Sequence, residues 1–223
     1  MVPLEISHGH LLARIDGRNW VIDTGSPLTF GSDTLPLNGE QHQVPDAAFG
    51  LDAAGLSENI GEEVVGLIGV DRLNHFDHLF DLAAGQWSLS ESELNCDGPA
   101  LPLQLVQGVP LVKVQAFDAP QLVFLDTGAQ LSYLDHPRLV EGEPAGEFED
   151  FHPLAGQFQV QTYRTVFNLG GLELACRCGS LPAALAGLLA GTGASGILGV
   201  DLLRGRVSGY FPRRQQWVVG ESI

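Results

Sequence analysis

The sequence predicts a mainly β protein of two lobes related by pseudo-two-fold symmetry, with few short helices. Three observations carry that expectation: an internal repeat, a series of hairpin signals, and a composition suited to a folded chain. Hydrophobic residues make up 44% of the sequence and charged residues 17%, which favours a buried core over disorder. At 223 residues the chain can form one compact domain or two lobes of roughly 100 residues each.

The repeat comes first, because self-similarity constrains architecture before any element is assigned. Gly66-Leu67-Ile68-Gly69-Val70-Asp71-Arg72-Leu73 aligns with Gly196-Ile197-Leu198-Gly199-Val200-Asp201-Leu202-Leu203 at a constant offset of 130, and the register runs on to Gln86-Trp87 against Gln216-Trp217. Upstream of each copy stands a second matched pair, Trp20-Val21-Ile22-Asp23-Thr24-Gly25-Ser26 and Val123-Phe124-Leu125-Asp126-Thr127-Gly128-Ala129, at an offset of 103. The second half therefore holds 27 more residues between its two motifs. Turn formers cluster at Asn95-Cys96-Asp97-Gly98-Pro99, so lobes spanning 1–97 and 98–223 are expected.

In chain order, Leu11 to Ile15 and Trp20 to Ile22 read as strands around an Asp16-Gly17 turn. Asn38-Gly39 marks a small hairpin. After each Gly-x-x-Gly segment, Asp71 or Asp201 is placed to cap a short helix. Pro110 to Phe117 and Gln121 to Leu125 repeat the first hairpin around Asp118-Ala119-Pro120. From Pro153 a turn at Gly156 leads into period-two alternation up to Tyr163, a hairpin signal, and Asn168-Leu169-Gly170-Gly171 turns the chain again. Pro182 to Ala190, closed by Gly191, is the one other convincing helix. Trp87 and Trp217, equivalent by repeat, are expected in packing within or between the lobes.

Charge and motif inventory exclude several functions. A net charge of −16 with only 11 Lys+Arg opposes binding to nucleic acid or to an anionic membrane. The start has no basic and apolar leader, and no run reaches the ~18 apolar residues of a membrane span, so the chain is expected to be cytoplasmic, and to act as a monomer. Cys96, Cys176 and Cys178 cannot all pair within one chain, and a Cys-x-Cys bridge would be strained, which favours a reducing compartment. His8-Gly9-His10 and His75-Phe76-Asp77-His78 lack a helix-spaced pair with a third ligand and read as surface or capping residues; no metal or cofactor is expected. Gly191 to Gly196 is glycine-rich but lacks the Lys-Ser/Thr of a phosphate loop.

A lone Asp-Thr-Gly after a strand is often only an Asx turn. Two in equivalent places carry more. If an approximate two-fold axis brings Asp23 and Asp126 together, the carboxylates cannot both ionise and must share a proton. One oxygen is then a base for a bound water, and the other an acid toward a carbonyl.

The segments Val21-Ile22-Asp23-Thr24-Gly25-Ser26, Leu67-Ile68-Gly69, Phe124-Leu125-Asp126-Thr127-Gly128-Ala129 and Ile197-Leu198-Gly199 together resemble the pepsin and retropepsin family of aspartic peptidases. The resemblance implies a bilobal acid-protease barrel fold with a cleft for a peptide or unfolded protein substrate. It makes Asp23 and Asp126 the catalytic pair, with Thr24, Gly25, Ser26, Thr127, Gly128 and Ala129 supporting the dyad. Thr24 and Thr127 would bond across to the opposite loop, and Ser26 would bond Asp23 from outside. Ala129 has no hydroxyl, which would leave Asp126 a leaner shell. Leu67, Ile68 and Gly69, and Ile197, Leu198 and Gly199, would brace the two loops. One departure is plain: pepsin-like members carry a flap tyrosine in the N-terminal lobe, and no tyrosine stands between Asp23 and Gly66. The C-terminal lobe is therefore expected to supply the flap, with Gly156 at its turn and Phe158 or Tyr163 facing substrate, unless both aromatics pack a lobe core. Two rival readings share the fold, a catalytically silent peptide-binding protein and a structural two-lobe protein without a working cleft.

Overall fold

The computed structural model describes residues 1–153 and 155–220. Leu154, part of the expected Pro153–Tyr163 hairpin, lies outside the described residues. The chain is mainly β, as expected.

The first half runs β1 (Val2–Ser7), β2 (His10–Ile15), β3 (Arg18–Ile22), β4 (Phe30–Gly31), β5 (Leu35–Leu37), β6 (Glu40–His42), β7 (Ala47–Ala48), β8 (Leu51–Asp52), α1 (Ala53–Ile60), β9 (Gly66–Ile68), α2 (Val70–Leu73), β10 (Asp77–Asp81) and β11 (Gln86–Ser90). The second runs β12 (Ala100–Val106), β13 (Val109–Ala116), β14 (Ala119–Leu125), β15 (Ser132–Leu134), β16 (Pro144–His152), β17 (Gly156–Leu169), β18 (Leu172–Ser180), α3 (Ala183–Leu189), β19 (Gly196–Leu198), β20 (Val207–Phe211) and β21 (Gln216–Val219), with 3-10 turns at Pro137–Glu141, Val200–Leu203 and Pro212–Arg214.

Each half begins with a three-strand meander, β1-β2-β3 or β12-β13-β14, closed by two-residue turns. These turns need positive φ at both central residues. Asp16 and Gly17 supply it in the first half at φ 48° and 82°. In the second half Phe117 and Asp118 do so at φ 55° and 61°, so the turn lies one residue earlier than Asp118-Ala119-Pro120. Proline's ring fixes φ negative and bars it from such a turn, and Pro120 pairs with Gln115 inside the hairpin instead.

The repeated motifs then do the same thing twice. β3 runs parallel to β9 with Ile22 opposite Ile68, and β14 parallel to β19 with Leu125 opposite Leu198. Farther on, β10 and β20 pair antiparallel, joining the halves. That ladder is centred on Leu79 opposite Gly209, two positions that the repeat makes equivalent, and the flanking pairs His78–Tyr210 and Phe80–Ser208 exchange under it. The halves are thus related by a local two-fold at their junction.

Trp87 and Trp217 are fully buried, with Phe80 and Tyr210, in a core that draws residues from both halves. Each indole N–H finds a partner one strand away: Trp87 Nε1 donates to His78 Nδ1 at 3.1 Å, and Trp217 Nε1 to Ser208 Oγ at 2.8 Å. His78 in turn meets the Leu73 carbonyl through Nε2 at 2.7 Å. Burial lowers its pKa to about 4, so it packs as a neutral ring. Arg213 and Arg214 close on the buried Asp77 at 3.0 and 2.7 Å, tying the C-terminal strands to the first half.

Two expectations about helices change. The Gly-x-x-Gly segments do lead into short helical turns, but Gly69 and Gly199 occupy the caps, not Asp71 and Asp201. The aspartate side chains reach back instead, Asp71 accepting from Thr29 Oγ1 at 2.6 Å and Asp201 from Ser132 Oγ at 3.4 Å. The helix after Pro182 forms as α3, and a helix not read from the sequence, α1, stands at the equivalent place in the first half. Asp52 caps α1 by accepting from Gly55 N at 2.8 Å, and Gly61 ends it with φ 77°. The three cysteines are free thiols. Among the described residues no helix is long and apolar enough to cross a membrane.

Candidate active site

Asp23 and Asp126 lie immediately after β3 and β14, where each strand leaves its parallel partner. The bracing segments fix both places: Asp23 N donates to Ile68 O at 3.0 Å and Asp126 N to Leu198 O at 2.9 Å. Val70 N donates to Ser26 O at 2.9 Å, and Val200 N to Ala129 O at 3.0 Å, closing each loop. Glycine is required in the brace. A Cβ at Gly69 would lie 2.6 Å from Leu28 O, and one at Gly199 2.4 Å from the Leu131 carbonyl. A hydroxyl steadies each brace from the side, Thr29 Oγ1 accepting from Gly69 N at 2.9 Å and Ser132 Oγ from Gly199 N at 3.1 Å.

The two loops meet through their threonines. Thr24 N donates to Thr127 Oγ1 at 3.0 Å, while Thr127 N donates to Thr24 Oγ1 at 3.0 Å. The hydroxyls pass their protons on across the junction, Thr24 Oγ1 to Leu125 O at 2.7 Å and Thr127 Oγ1 to Ile22 O at 2.8 Å. Both threonines are buried, so every donor in this square is satisfied away from water, where leaving one unmade is costly.

The carboxyl groups follow from that lock. Gly25 N and Ser26 N donate to Asp23 Oδ1 at 2.8 and 2.9 Å. Gly128 N and Ala129 N donate to Asp126 Oδ1 at 2.9 and 3.1 Å. The expectation that Ser26 adds a hydroxyl to Asp23 is corrected: Ser26 Oγ donates to Leu28 O at 2.8 Å. Both aspartates therefore have the same shell of two backbone N–H groups, and Ala129 costs Asp126 nothing. Each loop glycine faces the other aspartate, since a Cβ on Gly25 would fall 2.3 Å from Asp126 Cγ and one on Gly128 2.4 Å from Asp23 Cγ. The two carboxyls are thus brought close to one another, and burial, with the neighbouring Asp126 charge, holds Asp23 well above the ordinary carboxylate range. Asp23 therefore holds its proton at pH values where a free carboxyl would already have lost it.

The pair lies on the wall of a cleft of about 360 Å³. One side is apolar and belongs to the first half: Phe30, Leu51, Leu56 and Ile60, with Phe49 at the β7–β8 turn, 43% exposed. The other side combines Leu185, Leu188 and Ile197 with the β16–β17 hairpin. Phe158 lies in the cleft wall, its ring edge-on to Tyr133 at 6.0 Å. Gly156, expected at the hairpin's turn, instead opens β17 opposite His152, just past the turn, with φ 73° and outside the cleft lining, and Tyr163 packs against the central core rather than lining the cleft. A side chain pointing one way from an alternating strand puts residues of opposite parity on the opposite face, which separates Phe158 from Tyr163.

Sequence reading missed a polar group beside Asp126. His10, taken for a surface residue, is half-buried in the cleft wall, and its Nδ1 donates to the Gly128 carbonyl at 3.1 Å. Burial pushes its pKa down, as it does that of His152 in the same wall. Asp150 accepts from Tyr133 Oη, from its neighbour Phe151 N at 2.8 Å and from Gln130 Nε2 at 3.5 Å, and burial pushes its pKa up. None of these positions forms a motif in one dimension, because hairpin β16–β17 and turn His8-Gly9 are remote in sequence. The signal for α1 was present as Asp52 and Gly61.

No family model matches the chain, and a comparison with curated proteins finds no match.

Proposed function

We propose that this chain is an aspartic endopeptidase of the pepsin and retropepsin type, which hydrolyses peptide bonds in peptides or unfolded protein through a water activated by Asp23 and Asp126. The supporting observation is a pair of buried, neighbouring carboxyls on one cleft wall, each set against the other half's loop glycine and held there by the reciprocal Thr24–Thr127 lock. In this reading the halves 1–97 and 98–223 are lobes, and the β16–β17 hairpin is the flap.

The chemistry follows from one shared proton. The ionised carboxyl oxygen takes a proton from water as its oxygen bonds to the scissile carbonyl carbon, and the protonated carboxyl donates to the carbonyl oxygen as it gains charge. The tetrahedral intermediate then breaks at C–N while the protonated dyad gives the amine its proton, and the dyad returns to the one-proton state. Because the shells of Asp23 and Asp126 are equivalent, base and acid roles are set by the bound substrate rather than by a fixed difference between the residues.

A second reading, peptide binding without hydrolysis, draws on the first half, which lines the cleft with the short β7–β8 hairpin and α1 rather than with a long hairpin. One experiment separates them. A digest of an unfolded protein between pH 3 and 7, with and without a statine-type inhibitor, should release peptides only in the uninhibited arm. Equal release in both arms overturns the peptidase reading, and saturable binding with no release favours the silent binder.

A further inference from the structure

Resting on the peptidase reading above, we propose that Asp150 is a specificity-determining residue: it selects substrates with a cationic side chain, Lys or Arg, next to the scissile bond on the Asp126 side of the cleft. Asp150 lies on the flap strand β16 and lines the cleft together with Asp126, Gln130 and Tyr133. Most of the remaining wall is apolar, and no lysine or arginine lines it among the described residues. Side chains of neutral substrates are served by that apolar wall, so a carboxylate placed in it has no use for them.

Three neutral donors bond it inside the protein: Tyr133 Oη, Gln130 Nε2 and Phe151 N. No Lys or Arg forms an ion pair with it among the described residues, although Asp77 elsewhere in the chain has two. A carboxylate offers about four acceptor sites, so the three neutral bonds leave room for a charged donor. An ammonium or guanidinium would both fill that room and relieve the burial that raises the carboxyl's pKa.

Two further observations agree. The flap segment from Glu141 to Pro153 carries Glu141, Glu143, Glu147, Glu149 and Asp150 and no lysine or arginine, and the chain as a whole is at −16, so a cationic peptide is drawn toward this side. The groups facing Asp150 are His10, His152, Tyr133, Gln130 and Asp126. Burial lowers the pKa of both histidines and raises that of Asp150, so as pH falls the histidines gain charge and Asp150 gains a proton. All three changes weaken the site for a cation as pH falls, so the selectivity for Lys rises with pH.

The test uses quenched fluorescent peptides identical except for Lys, Arg or norleucine on either side of the scissile bond, with wild type, Asp150→Asn and Asp150→Glu. Wild type should show a kcat/KM for the Lys peptide about tenfold above norleucine at pH 6, with a smaller ratio at pH 4. Asp150→Asn should bring the ratio near one, and Asp150→Glu should restore it. Equal rates for both peptides in wild type overturn the proposal, and that comparison stands even where a variant does not fold. A loss in Asp150→Asn that is the same for both peptides also overturns it, leaving Asp150 as a tie between flap and Tyr133. If wild type cleaves neither peptide, the hydrolase reading fails by itself. Calorimetric binding of the uncut peptides to wild type and Asp150→Asn then decides selectivity separately.

Discussion

The two halves of this molecule agree wherever the dyad is built and diverge wherever the cleft is covered. Asp23 and Asp126 share strand ends, braces, backbone N–H donors and a threonine lock, bond for bond. Over Asp23 the chain closes with a two-residue-strand hairpin carrying Phe49, while over Asp126 the longer β16–β17 hairpin brings Phe158, Asp150 and His152. The difference teaches a division of labour. A reaction in which two groups exchange roles is served by symmetry, whereas a substrate with direction and sequence must be read by an asymmetric wall.

The largest expected effect tests the symmetric part. Asp23→Asn and Asp126→Asn should each lower kcat on an unfolded protein by about 10³-fold, and by similar factors, because the shared proton belongs to the pair. A mild loss at either position would break the equivalence of the halves. Next come Thr24→Val and Thr127→Val. Each removes a hydroxyl that accepts from the other half's N–H and donates to its carbonyl, so each should cost about 2–4 kcal/mol in urea unfolding. The double variant should cost less than the sum, since the four bonds form one network.

A pH series sharpens the comparison at the second brace. Burial raises the Asp201 pKa from its ordinary 3.8 to about 6. The folded state then binds the proton more tightly than the unfolded chain, so the contribution is present in full below about pH 4 and is lost as pH rises through about 6. It amounts to about 3 kcal/mol at most, at 1.4 kcal/mol per unit. Asp201→Asn should flatten that part of the stability curve measured by denaturant at pH 4 to 7; an unchanged slope would place the titration elsewhere. The smallest effect is expected at the covers. Phe49→Ala should raise KM a few-fold while changing stability by about 0.5 kcal/mol or less, because the ring is largely exposed. Phe158→Ala, whose ring packs on the buried Tyr133, should disturb both KM and stability.

Much of the symmetric part was legible in one dimension. Asp-Thr-Gly and the apolar-apolar-Gly segments recur in the same order because each loop needs a turning glycine, a crossing threonine and a brace that tolerates no Cβ. Ser26 shows where that reading stops: its backbone N–H serves Asp23, and the loop geometry sends its hydroxyl to Leu28 O. Pro120 was misplaced by one residue because a turn signal by composition ignores the φ that the turn demands. Phe158 and Tyr163 sit on one strand, and which of them reaches the cleft depends on the face that β17 turns toward it.

What the amino-acid order determined by itself was the doubled set of loops and braces, for these are local requirements of backbone geometry met by the same short motifs in the same order in each half. What only the tertiary structure decided was the company around Asp126. His10 arrives at the start of β2 in the first half, Asp150 and His152 on a hairpin of the second, and Tyr133 from the strand after the loop. No periodicity links them, because burial and charge between remote segments are properties of the packed chain and leave no regular trace along it.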